Sequence, residues 1–232
     1  IYFLEGVNFK KFYLIDNDIL RVENIQRHLI GINGVKSFKT DNIKNYILSK
    51  NPLVTVKTDS ESVVKIIENN VELINEGDFF FVAIGNENIE GFIGERIRNG
   101  IIIKPTLFIW VEPYLSAGHI IYIHPGSTKQ YSDFFKDRLF VNNVIDKSEY
   151  LQGNSCLTKK EAGCQTSFIP YSQANIILFL STVYPHLRKL IENPAPQSKS
   201  ITWIGDLNYL QSQDVKLSTL SNCSFGEIII KE

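Results

Sequence analysis

The sequence contains no methionine, only three cysteines, and no apolar run long enough to cross a membrane. Average usage would give roughly five methionines in a chain of this length. Because the chain also begins with Ile1, we expect it to be a fragment or to lack stretches that carry methionine. Three scattered cysteines are too few for a disulfide framework or a four-cysteine zinc site, which favours a reducing, cytoplasmic setting.

An excess of charge of one sign is also absent, since 24 basic residues face 25 acidic ones. Nucleic-acid-binding proteins concentrate basic residues on one surface, so this balance argues against nucleic acid as the main partner. The lack of a spanning segment argues equally against a membrane partner. The composition therefore favours a globular protein that acts on small molecules or other proteins.

Strand-like and helix-like stretches alternate along the chain, which is typical of an α/β protein with a doubly wound, mostly parallel sheet. A chain of 232 residues can bury one sizeable core, so we predict one domain over residues 1–232. The predicted strands cover 11–15, 53–58, 79–84, 106–112, 119–124, 201–203 and 227–230, with a turn at 116–118. The predicted helices cover 41–49, 60–70, 87–99 and 171–192. Residues 125–170 show no clear period and are predicted to form a long loop that is functional or partly disordered.

The most informative segment begins where the first predicted strand ends, at Asp16. In open α/β sheets ligands bind at the carboxyl ends of strands, and an acid there suits ribose hydroxyls. Asn24 and Arg27 follow, three residues apart and on one face of a predicted short helix, and Lys39 opens the next helical stretch. Arg and Lys suit phosphates. The residues alone leave two interpretations open, namely a nucleoside-triphosphate site without a P-loop and an ordinary charged surface.

This segment resembles the ATP-binding core of the ThiF-like and ubiquitin-activating superfamily, whose pattern is D-x-D-x-(V/I)-x-x-x-N-(L/I)-x-R followed by Lys. The resemblance covers roughly residues 1–190. Eleven residues separate Asp16 from Arg27, and twelve separate Arg27 from Lys39, as in the family. The matching residues are Asp16, Asp18, Asn24, Arg27 and Lys39, with Leu20 at the Val/Ile position and Asn51-Pro52 at the family's Asn-Pro.

The resemblance implies a Rossmann-like adenylation domain that uses ATP and Mg²⁺. It implies that Asp16 holds the ribose, while Asn24, Arg27 and Lys39 contact the triphosphate. It also implies a strand and a glycine-rich phosphate loop before Ile1, and a homodimer in which Arg27 completes the site of the twin subunit.

The loop after the predicted strand 79–84 departs from the family. Family members carry Asp-Asn here, and the Asp is linked to magnesium, whereas this chain has Gly85-Asn86. By resemblance Asn86 remains a nucleotide-site residue. Either Glu87 or a displaced side chain serves the metal, or this subfamily works without the acid, or the site is impaired. Gly and Asn are also ordinary turn residues, so a plain turn stays open.

Cys164 is the candidate nucleophile, because a cysteine in a polar loop shortly before a helix should have a lowered pKa. Such a thiolate could take an acyl group and form a thioester. The family's catalytic cysteine lies in a crossover loop, here about 125–170, and is often followed by Thr and, six residues on, by Pro. Pro170 lies six residues after Cys164, while Thr166 lies two residues after it instead of one. Cys156 is the rival, and Cys223 is expected to be structural.

Weaker matches point to bacterial activating enzymes of ubiquitin-like conjugation operons, including antiviral ones. The resemblance implies adenylation of the C-terminal glycine of a ubiquitin-like or other carrier protein, thioester formation on Cys164, and transfer to a conjugating enzyme. Two alternatives stay open. One is a sulfur-carrier adenylyltransferase of ThiF type, and the other is a non-catalytic partner that binds a ubiquitin-like protein or dimerises with an active subunit. The matches are Gln26–Gly31, Trp110–Pro113, Gly118-His119 and the block from Gly163 to Ser172.

Overall fold

The protein folds into two compact units in the computed structural model, which describes residues 3–4, 7–160 and 167–232. One unit comprises Ile1–Leu73 with Ser172–Ala174, and the other comprises Ile74–Tyr171 with Asn175–Glu232. Strands alternate with helices in both, which confirms the predicted α/β class. The assignment of residues 1–232 to a single adenylation domain stays a prediction.

The first unit is built on two parallel strands, in which Lys11 pairs with Thr55 and Ile15 with Asp59. The apolar side chains of Leu20, Ile47 and Val56 are at most 8% exposed. The second helix is capped by Ser62, whose side chain accepts the N–H of Val64. In chain order the elements are strand β1 (Lys11–Ile15), a 3₁₀ helix (Val22–Arg27), helix α1 (Lys39–Lys50), strand β2 (Thr55–Asp59) and helix α2 (Val63–Asn70).

The second unit contains a five-stranded sheet in the order β11-β10-β5-β4-β3. Its strands are β3 (Phe80–Val82), β4 (Thr106–Val111), β5 (Ala117–Ile123), β10 (Lys199–Ile204) and β11 (Ile228–Lys231). β3 and β4 are parallel, while the pairs β4–β5, β5–β10 and β10–β11 are antiparallel. The sheet is therefore mixed, with its parallel part on the β3 side.

Helices and short strands complete the chain. The helices are α3 (Glu72–Asn75), α4 (Glu87–Arg98), α5 (Lys147–Leu151), α6 (Gln173–Glu192) and α7 (Asn208–Ser212). Two-residue strands form the hairpins β6–β7 (Phe135–Lys136 with Leu139–Phe140) and β8–β9 (Lys159–Lys160 with Ser167–Phe168). The stretch 125–170, predicted as a loop without structure of its own, thus contains several short elements. No helix in the described ranges is long and apolar enough to cross a membrane.

The core of the second unit packs α6 against the sheet. Phe179 and Val183 of α6 are at most 1% exposed and lie in one cluster with Tyr122 and Trp203. The rings of Phe179 and Trp203 lie 5.7 Å apart. Gly118 leaves room for this helix, because a Cβ there would overlap the Phe179 ring. Burial of these large side chains fixes α6 on the sheet.

The connection between β4 and β5 is a tight turn with a left-handed backbone. Tyr114 and Leu115 have φ of 57° and 54°, which costs about 1–3 kcal/mol for each non-glycine residue. Ala117 and Gly118 lie within β5, so the turn predicted at 116–118 is wrong and the turn lies earlier, around Pro113–Leu115. Gly205 lies against it, since a Cβ there would overlap the Leu115 carbonyl oxygen.

Candidate functional site

The carboxylate of Asp16 lies where the parallel strands β1 and β2 end together. The N–H of Asp16 donates to the carbonyl of Asp59 at 3.2 Å. The chain then turns, and the N–H of Asp18 donates to Oδ1 of Asp16 at 2.9 Å, which fixes the Asp16 side chain. The half-buried carboxylate is therefore presented at the carboxyl edge of these strands, where α/β proteins bind ligands.

Lys39 lies beside Asp18 because two distant stretches of backbone pair. The N–H of Leu20 donates to Ser37 O at 2.9 Å, and the N–H of Lys36 donates to Leu20 O at 2.9 Å. This pairing brings Lys39 Nζ to 2.6 Å from Asp18 Oδ2. The Lys39 side chain is 22% exposed and that of Asp18 is 64% exposed. The predicted site residues Asp16, Asp18 and Lys39 are thus brought together.

Helix α1 begins at Lys39 without a side-chain cap, because its N-cap residue is Phe38. Thr40 in its first turn is 3% exposed, and its hydroxyl has no hydrogen-bond partner among the described residues. A helix N-terminus carries unpaired N–H groups and a partial positive charge, and both favour phosphate. This end of α1 therefore fits a phosphate group, with Lys39 as the neighbouring cation.

Asn24 and Arg27 belong to a 3₁₀ helix, in which residues three apart lie one above the other. The Asn24 side-chain oxygen accepts the N–H of Arg21 at 3.2 Å and so holds the start of this helix. The backbone of Arg27 forms its last residue, while the Arg27 side chain lies outside the described part of the structure. That Asn24 and Arg27 share a face stays a prediction.

His28 lies close to Lys39 and Asp16, since both charges act on it. Its Nδ1 accepts the N–H of Ile30 at 3.2 Å. Burial lowers the pKa of His28, the positive charge of Lys39 lowers it further, and Asp16 opposes the shift. His28 is therefore neutral at pH 7 and adds no charge to the Asp16–Lys39 group.

The Gly85-Asn86 loop lies in the second unit, after β3. Asn86 caps helix α4, since its Oδ1 accepts the N–H groups of Asn88 and Ile89 at 3.1 and 3.2 Å. Gly85 has a φ of +67°, a conformation that side chains with a Cβ rarely adopt. Gly85 and Asn86 thus have ordinary structural reasons to be in this loop, as a turn residue and a helix cap. The role of Asn86 in nucleotide binding stays a prediction.

Glu90, in the first turn of α4, contacts this loop and was not singled out from the sequence. It is 5% exposed, and its Oε1 accepts the N–H of Gly85 at 2.9 Å. Burial raises the pKa of Glu90, against the hydrogen bonds from Gly85, Tyr131 and Asn86. The Glu90 carboxylate is therefore already engaged by protein donors. An acid four residues into a helix is the only sequence signal that could have revealed it.

The three cysteines differ in their surroundings. Cys164 lies outside the described residues. Cys156 packs beside a buried cluster that includes Leu157 and Leu210, which suits a structural thiol. Burial and the nearby Glu227 carboxylate raise the pKa of Cys223, so this thiol is protonated at pH 7.

Metal ligands are sparse in the described ranges, where no group of three or more His, Cys, Asp and Glu side chains could hold an ion. Mg²⁺ bound with a nucleotide usually needs only one or two carboxylates in addition to the phosphates. Asp16 and Asp18 could supply these carboxylates, whereas Gly85 has no side chain and cannot.

Several solved structures resemble this chain in fold. PaaA aligns with a TM-score of 0.59 at 15% identity, over 94% of this chain and 74% of that one. E. coli MccB with ATP aligns with a TM-score of 0.57 at 15% identity, over 99% of this chain and 65% of MccB. E. coli MccB with MccA-N7isoASN aligns with a TM-score of 0.53 at 16% identity, over 90% of this chain and 56% of MccB.

These structural relatives are too distant in sequence to show more than the fold, and the chain spans only 56–74% of their length. No curated protein matches the sequence significantly. The match to the ThiF family, in contrast, extends over residues 3–223. The chain belongs to the ThiF family and has its adenylyltransferase fold.

Proposed function

We propose that this protein adenylates the C-terminal glycine of a ubiquitin-like or other target protein, with ATP and Mg²⁺, and then captures the acyl group on Cys164. The observation that carries the first step is the group formed by Asp16, Asp18 and Lys39 at the start of α1, in a chain of the ThiF family. E. coli MccB, which shares the fold, has been crystallised with ATP, which supports ATP as a ligand of this chain.

In the first step the target's C-terminal carboxylate attacks the α-phosphorus of ATP, and pyrophosphate leaves. Asp16 accepts hydrogen bonds from the ribose, and Lys39 neutralises charge on the phosphates. Because the Lys39 ammonium is paired with Asp18 in the free protein, it is held at the first turn of α1 before ATP arrives. Such preorganised charge is usually the largest single contribution to catalysis. Mg²⁺ would supply further charge neutralisation, with Asp16 or Asp18 as its protein ligands.

In the second step the Cys164 thiolate attacks the carbonyl carbon of the acyl adenylate. The carbon–sulfur bond forms, the bond to the AMP oxygen breaks, and AMP leaves with the electron pair. The thiolate is needed because a thiol is a poor nucleophile. Cys156 is the alternative acceptor. In the family-based picture the thioester then passes to a conjugating enzyme, in a pathway of antiviral type.

A sulfur-carrier adenylyltransferase is the second candidate, and ThiF family membership is the observation that favours it. Its first step is the same, but the product is a thiocarboxylate, and a cysteine relays sulfur. The third candidate is a non-catalytic partner, and its support is that Gly85 has no carboxylate and that Glu90 is already engaged.

ATP–pyrophosphate exchange separates the third candidate from the other two. Mass spectrometry of the adduct separates the first from the second. A thioester to Cys164 adds the carrier minus one water, whereas an acyl disulfide contains one further sulfur atom. An added thiol releases both adducts, the thioester by exchange and the acyl disulfide by reduction, so release by a thiol alone does not distinguish them.

A further inference from the structure

His28, in the first unit, has one ring nitrogen without a protein partner. It follows the 3₁₀ helix Val22–Arg27 and is half-buried. Its Nδ1 accepts the N–H of Ile30 at 3.2 Å. Among the described residues Nε2 has no hydrogen-bond partner. The ring is thus bonded to the protein through one nitrogen and has the other to offer.

The hydrogen bond from Ile30 also decides which nitrogen of His28 carries the proton. A backbone N–H cannot accept, so a proton on Nδ1 would bring two donors face to face. The neutral imidazole therefore carries its proton on Nε2. The pKa of His28 lies below its ordinary value, mainly because the ring is buried, and this keeps the neutral form at pH 7. His28 is therefore an uncharged hydrogen-bond donor through Nε2.

The turn that carries His28 packs on the start of α1. Asn42, in the first turn of α1, donates from Nδ2 to the carbonyl of Gly34 at 2.9 Å. Gly34 lies so close to Ile30 and Asn42 that a Cβ there would overlap both side chains. Ile30, which binds the His28 ring, is thus held beside the first turn of α1.

The neighbouring charges place His28 on the phosphate side of the Asp16–Lys39 group. The Lys39 ammonium acts on the ring more strongly than the Asp16 carboxylate does. Because Coulomb interactions weaken with distance, the ring lies nearer to Lys39. Lys39 is the first residue of α1, whose free N–H groups favour phosphate.

We propose that His28 is a nucleotide-binding residue, whose Nε2–H donates to a phosphate oxygen of ATP beside Lys39. This inference rests on the proposed function, because it adds a residue to the ATP site. Phosphate oxygens only accept hydrogen bonds, so they match an N–H that has no acceptor in the described structure. An uncharged donor also adds a directed contact without repelling the Lys39 ammonium, as a second cation would.

Two substitutions separate this role from a structural one. His28→Asn keeps a side-chain oxygen near the position of Nδ1, so it can still accept the N–H of Ile30, and it removes the donor at Nε2. His28→Gln does the reverse, because its amide NH₂ reaches the position of Nε2 while no acceptor remains at Nδ1. Each variant is therefore the matched control for the other.

The experiment titrates ATP, tripolyphosphate and adenosine separately into the full-length wild-type protein and both variants, by calorimetry in the presence of Mg²⁺. His28→Asn should bind ATP and tripolyphosphate roughly tenfold to a hundredfold more weakly, because it loses a hydrogen bond to a charged group. Its affinity for adenosine should not change. His28→Gln should bind all three within about threefold of wild type. Amide hydrogen exchange at Ile30 should be faster in His28→Gln and unchanged in His28→Asn.

The wild-type protein offers a second measurement that needs no variant. In nitrogen NMR at pH 7 the His28 ring should show the tautomer with the proton on Nε2. This proton should exchange with water more slowly once ATP or tripolyphosphate is bound, because it is then hydrogen-bonded to a phosphate oxygen.

Equal losses of ATP affinity in the two variants, or a larger loss in His28→Gln, would overturn the proposal and assign His28 to the support of Ile30. Unchanged ATP affinity in His28→Asn, or an Nε2 proton that ATP does not protect, would overturn it as well. Weaker adenosine binding in His28→Asn would move the contact to the nucleoside and contradict the phosphate assignment. A wild-type protein that binds no ATP would overturn the proposed function itself, so the two failures are distinguishable.

Discussion

Lys39 and Asp18 are joined twice, by a backbone hydrogen bond of 2.9 Å from Lys39 N to Asp18 O and by an ion pair of 2.6 Å between their side chains. The ion pair lies partly in solvent, so it contributes at most about 1 kcal/mol to stability. The ion pair matters more for where it places the Lys39 ammonium than for stability. It holds a cation at the start of α1, where the buried Thr40 hydroxyl has no protein partner in the described structure.

Replacing Lys39 should therefore impair catalysis and leave the fold intact. Lys39→Ala removes a charge contact to the phosphates, which is worth on the order of 3 kcal/mol, so pyrophosphate exchange should fall roughly a hundredfold. Arg27→Ala should have a similar effect. Lys44→Ala, on the same helix, is the matched control and should exchange at the wild-type rate. Wild-type exchange in Lys39→Ala would show that the site has been misplaced.

Cys164→Ala should leave pyrophosphate exchange unchanged and abolish the covalent adduct, because the thiol enters only after adenylation. Gel electrophoresis without reducing agent measures the adduct. Cys156→Ala is the control and should retain it, since Cys156 packs beside a buried cluster. The opposite pattern would assign the acceptor role to Cys156. Retention of the adduct in both variants would contradict capture on either cysteine.

Glu90 should make stability depend on pH. Burial raises its pKa in the folded protein above the ordinary value of 4.5. Its contribution is fully present below about pH 4.5 and is lost as the pH rises through the raised folded pKa. Glu90→Gln retains an acceptor for the N–H of Gly85 and removes the charge. Its melting temperature should gain on that of wild type as the pH rises from about 4.5 through the raised folded pKa of Glu90, because the penalty for a buried charge then falls on wild type alone. Curves that stay parallel over this rise would contradict this expectation.

Gly205→Ala should destabilise the protein more than Gly118→Ala. A Cβ at 118 meets the ring of Phe179, which can shift at a cost of about 1–3 kcal/mol. A Cβ at 205 meets the backbone carbonyl of Leu115, which is fixed in a left-handed turn. Urea denaturation of both variants measures the two free energies of unfolding. The reverse order would mean that the β4–β5 turn is more adaptable than its geometry indicates.

Much of the fold was predictable from local patterns. The bounds of β1 agree with the prediction, and α4 ends one residue before the predicted end, followed by Gly100 at φ +69°. The strand predicted at 79–84 is shorter, because only Phe80–Val82 pair with β4 and the chain then turns out to Gly85. An apolar run indicates burial and does not show where pairing stops.

Strand direction was not evident from the apolar runs, since buried strands have the same composition in parallel and antiparallel pairs. The connection from β4 to β5 holds a clue, because residues 112–116 are too few for a parallel crossover. Asp18 and Lys39 were both matched to the family pattern in the sequence, and the structure places their side chains 2.6 Å apart. The surroundings of Thr40 and Glu90 depend on burial and on partners from other elements, which no local pattern contains.

The most direct test of the account is ATP–pyrophosphate exchange by the full-length protein with two peptides that end in the same glycine. One peptide has a free C-terminal carboxylate, and the other is amidated. The account predicts exchange that depends on the free carboxylate, because only a carboxylate can attack the α-phosphorus and release pyrophosphate. Equal exchange with both peptides, or exchange with neither and with no other carboxylate-bearing carrier, would contradict it.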